Sequence, residues 1–162
     1  MSLDVATADE VRGTVWIACV CERLLLASRL HTLDGEELAR WLDLDERLRS
    51  PVDDPRASLR VRVGLTARVS LPATGEEAPA RIVDVSAGGA FVETSLDARR
   101  GARLLVRVGP GRAGYEWRLP AEVVRDERER GPGVAVRWSG APLVLRHHGT
   151  RDVASSASGG GR

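Results

Sequence analysis

The sequence predicts a mainly β protein: a small six-stranded antiparallel β-barrel preceded by an N-terminal α-helical hairpin. Three observations carry that expectation. Two stretches before residue 50 repeat their apolar residues at helical spacing, whereas from Leu59 to Leu71 every odd position is apolar and nearly every even one polar. Beyond that point, short β-rich runs alternate with Gly- and Pro-containing turns such as Ala73-Thr74-Gly75, Arg100-Gly101, Gly109-Pro110-Gly111 and Gly131-Pro132-Gly133 at hairpin spacing.

The elements follow in order. Thr7-Ala8-Asp9-Glu10 reads as a capping box opening a helix to about Leu30, with Val11, Val15, Ala18 and Cys21 or Glu22 marking successive turns despite Gly13. The pattern breaks at Thr32 to Gly35. A second helix follows with Leu38, Trp41, Leu42 and Leu48 on one side, and Ser50-Pro51 stops it. Two short amphipathic helices cannot bury both apolar faces alone, so the pair should dock on the barrel or on a second copy as a homodimer. After the Asp53-Asp54 connection come strands at Leu59 to Leu71, Ala80 to Val85, Ala90 to Thr94, Arg103 to Val108, Tyr115 to Arg125 and Val134 to Trp138. Periodicity then ends, and the Ser- and Gly-rich Ala154 to Gly161 reads as a disordered end. The expected division is a helical extension at 1–52, a barrel domain at 53–148 and a tail at 149–162.

Composition narrows the function. In 162 residues, 24 basic side chains stand against 23 acidic ones, a formal net charge of +1 that argues against gripping long nucleic acid by counterion release. Any anion site must be local, and every basic residue is arginine. Aromatic residues make up only 4% of the chain, too few for a surface that stacks single-stranded bases. Cys19 and Cys21 point in different directions on a helix and read as buried thiols. His31, His147 and His148 lack partners at ligand spacing, so no metal is expected. No nucleophile elbow, phosphate-loop or HExxH sequence makes a case for an enzyme. The start of the chain lacks a signal-peptide pattern, and the apolar stretch from Val15 to Leu30 is interrupted by Glu22, Arg23 and Arg29. A cytoplasmic protein without membrane insertion is expected.

Two short motifs stand out. Arg56-Ala57-Ser58-Leu59-Arg60 is an RxxxR, a pattern that arises by chance roughly three times in so arginine-rich a chain. Asp84-Val85-Ser86-Ala87-Gly88-Gly89 is a DxSxxG, with a chance expectation on the order of 0.1, placed where a strand runs into a turn. Read separately, the first could be a solvated lead-in to a strand and the second a side-chain-capped turn. In this order and spacing, together with the strand-like Ala90-Phe91-Val92-Glu93-Thr94, they resemble the PilZ domain over about residues 55 to 140. Ala57 departs from the adjacent arginine that many members carry there.

The resemblance implies the same barrel and a ligand, cyclic di-GMP, held by Arg56 and Arg60 from one side and by Asp84, Ser86 and Gly89 from the other. No other cofactor is implied. The chemistry fits: guanidinium groups both pair with phosphate and stack on purines, and a carboxylate accepts from the N1 and N2 donors of guanine. Arg62 and Arg68 continue the polar face of the first strand and are expected to be solvated, while Trp117 and Trp138 are expected in the core. The leading expectation is therefore a cyclic di-GMP effector that couples the messenger to a protein partner by ordering the RxxxR arm on the barrel. The alternative is a nucleotide-independent adaptor working through Leu38, Trp41 and Leu48 of the hairpin.

Overall fold

The computed structural model describes residues 8–49, 58–110, 114–126 and 131–147. Thr7 of the expected capping box, the Asp53-Asp54 connection, Arg56 and the 149–162 tail lie outside the described residues. Two helices, α1 (Ala8–Ala27) and α2 (Gly35–Arg47), precede seven strands: β1 (Val61–Ser70), β2 (Glu77–Val85), β3 (Gly89–Thr94), β4 (Arg103–Val108), β5 (Tyr115–Asp126), β6 (Gly133–Trp138) and β7 (Leu143–Arg146).

All pairings are antiparallel. The run β4-β1-β2-β3-β6-β5 closes on itself through β4 and β5, giving the expected six-stranded barrel with no free edge among those strands. Closure is possible because β5 is long: Trp117–Glu122 pairs with β4, while Ala121–Asp126 pairs with β6. Its first residues, Tyr115–Arg118, extend beyond β6 and pair with β7. This seventh strand was not expected; Leu143-Val144-Leu145 is too short to show a period, and it exists because the overhang of β5 offers it a ladder.

The alternation in β1 comes through as read, with Val63, Leu65, Ala67 and Val69 buried toward the barrel axis. They meet Ile82, Val85, Val92, Val106, Leu119 and Val123, and both Trp117 and Trp138 join the same core. Arg62 and Arg68 face outward, and Arg68 pairs with Glu77. Among the described residues no helix is long and apolar enough to cross a membrane, and no group of His, Cys, Asp and Glu is arranged to hold a metal. His147 instead meets the buried Glu116 through Nε2 at 3.2 Å.

The hairpin docks on its own barrel, through α1 against β1. Only part of the expected apolar face is used for docking. Val11 and Val15 are more than half exposed, and the buried stripe is Gly13, Ile17, Val20 and Cys21, which joins the barrel core. Gly13 explains the close docking: a Cβ there would stand 2.8 Å from the Leu65 side chain and 3.1 Å from Val63 Cβ, so glycine is what lets the helix axis approach the sheet. Fully burying Ile17 and Val20 contributes about 1.5–3 kcal/mol each. Burial pushes the Cys21 thiol well above its ordinary pKa, and both cysteines are free thiols.

α1 stops at Ala27 rather than near Leu30, where a 3-10 turn (Leu30–Thr32) takes over. α2 begins with a reciprocal cap that the sequence reading passed over: Asp34 Oδ1 accepts from Glu37 N at 2.9 Å, and Asp34 N donates to Glu37 Oε2 at 3.3 Å. Its buried face is Leu44 and, just past its end, Leu48; Leu38 and Leu42 are exposed. Leu48 belongs to the shared core, so it is not open to a partner as the adaptor reading required. Arg23–Asp45 and Arg40–Glu22 pair across the two helices, and Arg29 in their connection pairs with Glu37. Each exposed pair contributes little on its own.

Candidate functional site

The site is built around the end of β2. Regular alternation from the inward-facing Ile82 would turn Asp84 into the barrel. Two bulges prevent this. Against β3, Ile82 pairs with Val92 and Asp84 with Phe91, leaving Val83 as an extra residue; against β1, Arg62 pairs with Asp84 and Leu65 with Ile82. The extra residue reverses the parity, so Val85 becomes fully buried and Asp84 faces out. A bulge leaves no mark in an apolar/polar pattern, which is why the sequence points to Asp84 but not to its orientation.

Asp84 is then fixed from two directions. Its Oδ1 accepts from the backbone N of Phe91 at 3.2 Å and from Arg60 NH1 at 2.8 Å. The first bond ties the carboxylate to β3, and the second joins the two motifs across the β1–β2 pair. The Arg60 side chain is 35% exposed and that of Asp84 21%, so both remain reachable from solvent.

Ser86 and Gly89 have a different character. Ser86 lies one residue beyond β2 and is buried, and its hydroxyl turns into the connection: Oγ accepts from Gly89 N and donates to Gly89 O, both at 3.2 Å. Ser86 N also donates to Gly89 O at 2.8 Å, closing the turn. The Ser86 hydroxyl therefore does not lie open beside the Asp84 carboxylate, because the chain leaves the strand at Val85. Gly89 is sterically obligatory, because a Cβ there would fall 2.0 Å from the Val136 carbonyl oxygen on β6.

Trp138 completes the turn from the far side. Its indole Nε1 donates to Ser86 O at 3.1 Å, and its backbone N donates to Gly88 O at 3.0 Å. The sequence marked Trp138 as core and missed this role, since a contact spanning 52 residues has no local signal. Together these bonds satisfy the polar groups of a buried turn and hold its backbone in one conformation.

The RxxxR half is held at its middle. Leu59 N donates to Leu48 O at 2.9 Å, and Ser58 bridges Arg49, so the segment leading into β1 is laced to the end of α2. Arg60 reaches Asp84 from that segment. The structure thus brings Arg60 to Asp84 and Ser86 to Gly89, with both pairs flanking Val85, while Arg56 lies outside the described residues. The arrangement presents a guanidinium and a carboxylate side by side on the barrel surface, above a rigid turn.

Comparison with known proteins agrees with this geometry. The family model described as PilZ domain matches residues 54–151, a span that contains both motifs and all seven strands. No curated protein matches the chain in sequence.

Proposed function

Because the chain belongs to the PilZ domain family, a family of cyclic di-GMP receptors, we propose that it is a non-catalytic effector that binds cyclic di-GMP through Arg60 and Asp84, with Arg56 as the second arginine of the arm. The observation that supports this most strongly is the Arg60–Asp84 pair. Its two members carry opposite halves of what a guanine nucleotide needs. A guanidinium can donate to phosphate oxygens or to the O6/N7 edge of guanine, the latter contributing about 1–3 kcal/mol of base discrimination. A carboxylate accepts from guanine N1 and N2, which adenine cannot satisfy in the same way. In the free protein each satisfies the other, and a partly exposed pair of this kind is held by no more than about 1 kcal/mol. Ligand can therefore enter by exchanging one charge-assisted contact for several stronger ones.

Ser86 and Gly89 serve the ligand indirectly in this reading. They hold the turn against Trp138 so that the carboxylate is preorganised and the backbone can be approached closely. The output is a change at the hairpin, which is bonded to the arm through Leu48 and Leu59. Val11, Val15, Leu38 and Leu42 give the hairpin exposed apolar surface to offer a protein partner.

Calorimetric titration with cyclic di-GMP, with cyclic di-AMP as control, tests the reading. Saturable binding selective for the guanine ligand is expected. Equal binding of both ligands, or none up to high micromolar concentration, overturns it.

A further inference from the structure

A cleft of about 300 Å³ opens where hairpin and barrel meet, lined by Arg23, Asp45, Leu48, Arg49, Ser58 and Ala87. That volume lies at the lower end of small-ligand sites, about 300–1,000 Å³. Its lining joins three parts of the molecule: the charged groups come from α1 (Arg23), α2 (Asp45) and the residue after its cap (Arg49), Ser58 sits two residues before Arg60, and Ala87 lies within the Ser86–Gly89 turn. The cleft is therefore lined by one residue from within each motif, Ser58 and Ala87, and by the hairpin.

Among its lining residues two arginines stand against one carboxylate, with Glu46 acting on Arg49 from outside the lining. Arg23 reaches Asp45 Oδ1 through Nε at 3.0 Å and NH2 at 2.7 Å, while Arg49 NH2 reaches Oδ2 at 2.7 Å, so two guanidiniums share one carboxylate. Bonds from Arg49 and then Arg23 hold the Asp45 carboxyl below its ordinary pKa, which keeps it charged. The end of α2 would oppose an anion, but its last carbonyls are engaged: Leu44 O and Leu48 O accept from Leu48 N and Leu59 N, and Glu46 O from Arg49 N. Arg23 is mostly buried in the seam, whereas the Arg49 side chain is 69% exposed and can turn without disturbing the packing.

Building on the receptor reading, we infer that Arg49, supported by Arg23, forms a hairpin subsite for a phosphate of the bound cyclic dinucleotide, with Asp45 occupying those guanidiniums until the ligand arrives. Binding then moves Arg49 from Asp45 to the phosphate, and the messenger bridges barrel and hairpin. The backbone of Arg49 pairs with that of Ser58, so the subsite lies on the same stretch of chain contact that anchors the arm carrying Arg60.

The test is calorimetry on the full chain with cyclic di-GMP for the parent, Asp84→Ala, Arg49→Ala and Asp45→Asn, with thermal midpoints recorded for each. Asp84→Ala abolishes binding. Arg49→Ala weakens it about tenfold, the loss of roughly one charge-assisted hydrogen bond, with a midpoint within a few degrees of the parent. Asp45→Asn tightens it, because the internal competitor is gone. Parental affinity in Arg49→Ala beside lost binding in Asp84→Ala overturns the hairpin subsite and leaves the receptor reading standing. Weakening in both Arg49→Ala and Asp45→Asn assigns the pair a structural role and also overturns it. Failure of the parent to bind removes both.

Discussion

The two halves of the candidate site are held in opposite ways. The Ser86–Gly89 turn is fixed by its own hydroxyl, by two bonds from Trp138 and by a contact with β6 that admits only glycine. The Arg60 half is held by the Leu48–Leu59 bond behind it and by the surface pair with Asp84. One half is scaffold and the other is reagent. A motif of matched residues thus divides into positions that make the surface and positions that act from it, and stability and binding should separate along that line.

The largest stability effect is expected for Gly89→Ala. No side chain can yield, since the clash is with the Val136 backbone oxygen, so the strand pair must shift. Overpacking against backbone should cost about 3 kcal/mol, the upper end of the usual range, seen as a large fall in urea midpoint or failure to fold. A stable Gly89→Ala protein would break the division between the halves.

Ser86→Ala comes next. It removes the hydroxyl that satisfies Gly89 N inside a buried turn, and should lower stability by about 1–3 kcal/mol in denaturant titration. Its affinity for cyclic di-GMP should fall less than that of Asp84→Ala, because the turn supports the carboxylate without supplying it. Affinity loss equal to that of Asp84→Ala would move Ser86 to the reagent side.

Arg60→Ala should change stability by less than about 1 kcal/mol, the range of partly exposed ion pairs. Acid provides the mildest perturbation of the arm's tether. Arg49 and Arg23 lower the Asp45 pKa, so the stability that this carboxylate contributes is full above the ordinary aspartate range and lost as pH falls through the lowered value. Thermal midpoints of the parent should therefore drop faster below pH 4 than those of Asp45→Asn, roughly where carboxylates titrate. Parallel acid profiles would show that Asp45 does not hold the seam.

Much of this architecture was legible because barrel strands alternate. Leu59 to Leu71 states its buried face outright, and the Gly- and Pro-rich turns divide the remaining five strands of the barrel. The hairpin was less legible. Its helices are legible, but Gly13 reads as a weak helix residue until β1 is seen against it, and the turn-marking Val11 and Val15 prove exposed while Cys21 is buried. At the site, the motif residues were identifiable by type and spacing. Their division of labour was not, because it depends on the Val83 bulge and on Trp138, one invisible in periodicity and the other remote in sequence. No local pattern marks Arg23, Asp45 and Arg49, and only the tertiary fold gathers them beside Ser58.

The most direct test of the central claim is titration of Arg60→Ala with cyclic di-GMP, paired with its thermal unfolding. Lost binding in a protein that melts within a few degrees of the parent is the predicted result. Retained guanine-selective binding in that variant would contradict a site centred on Arg60 and Asp84.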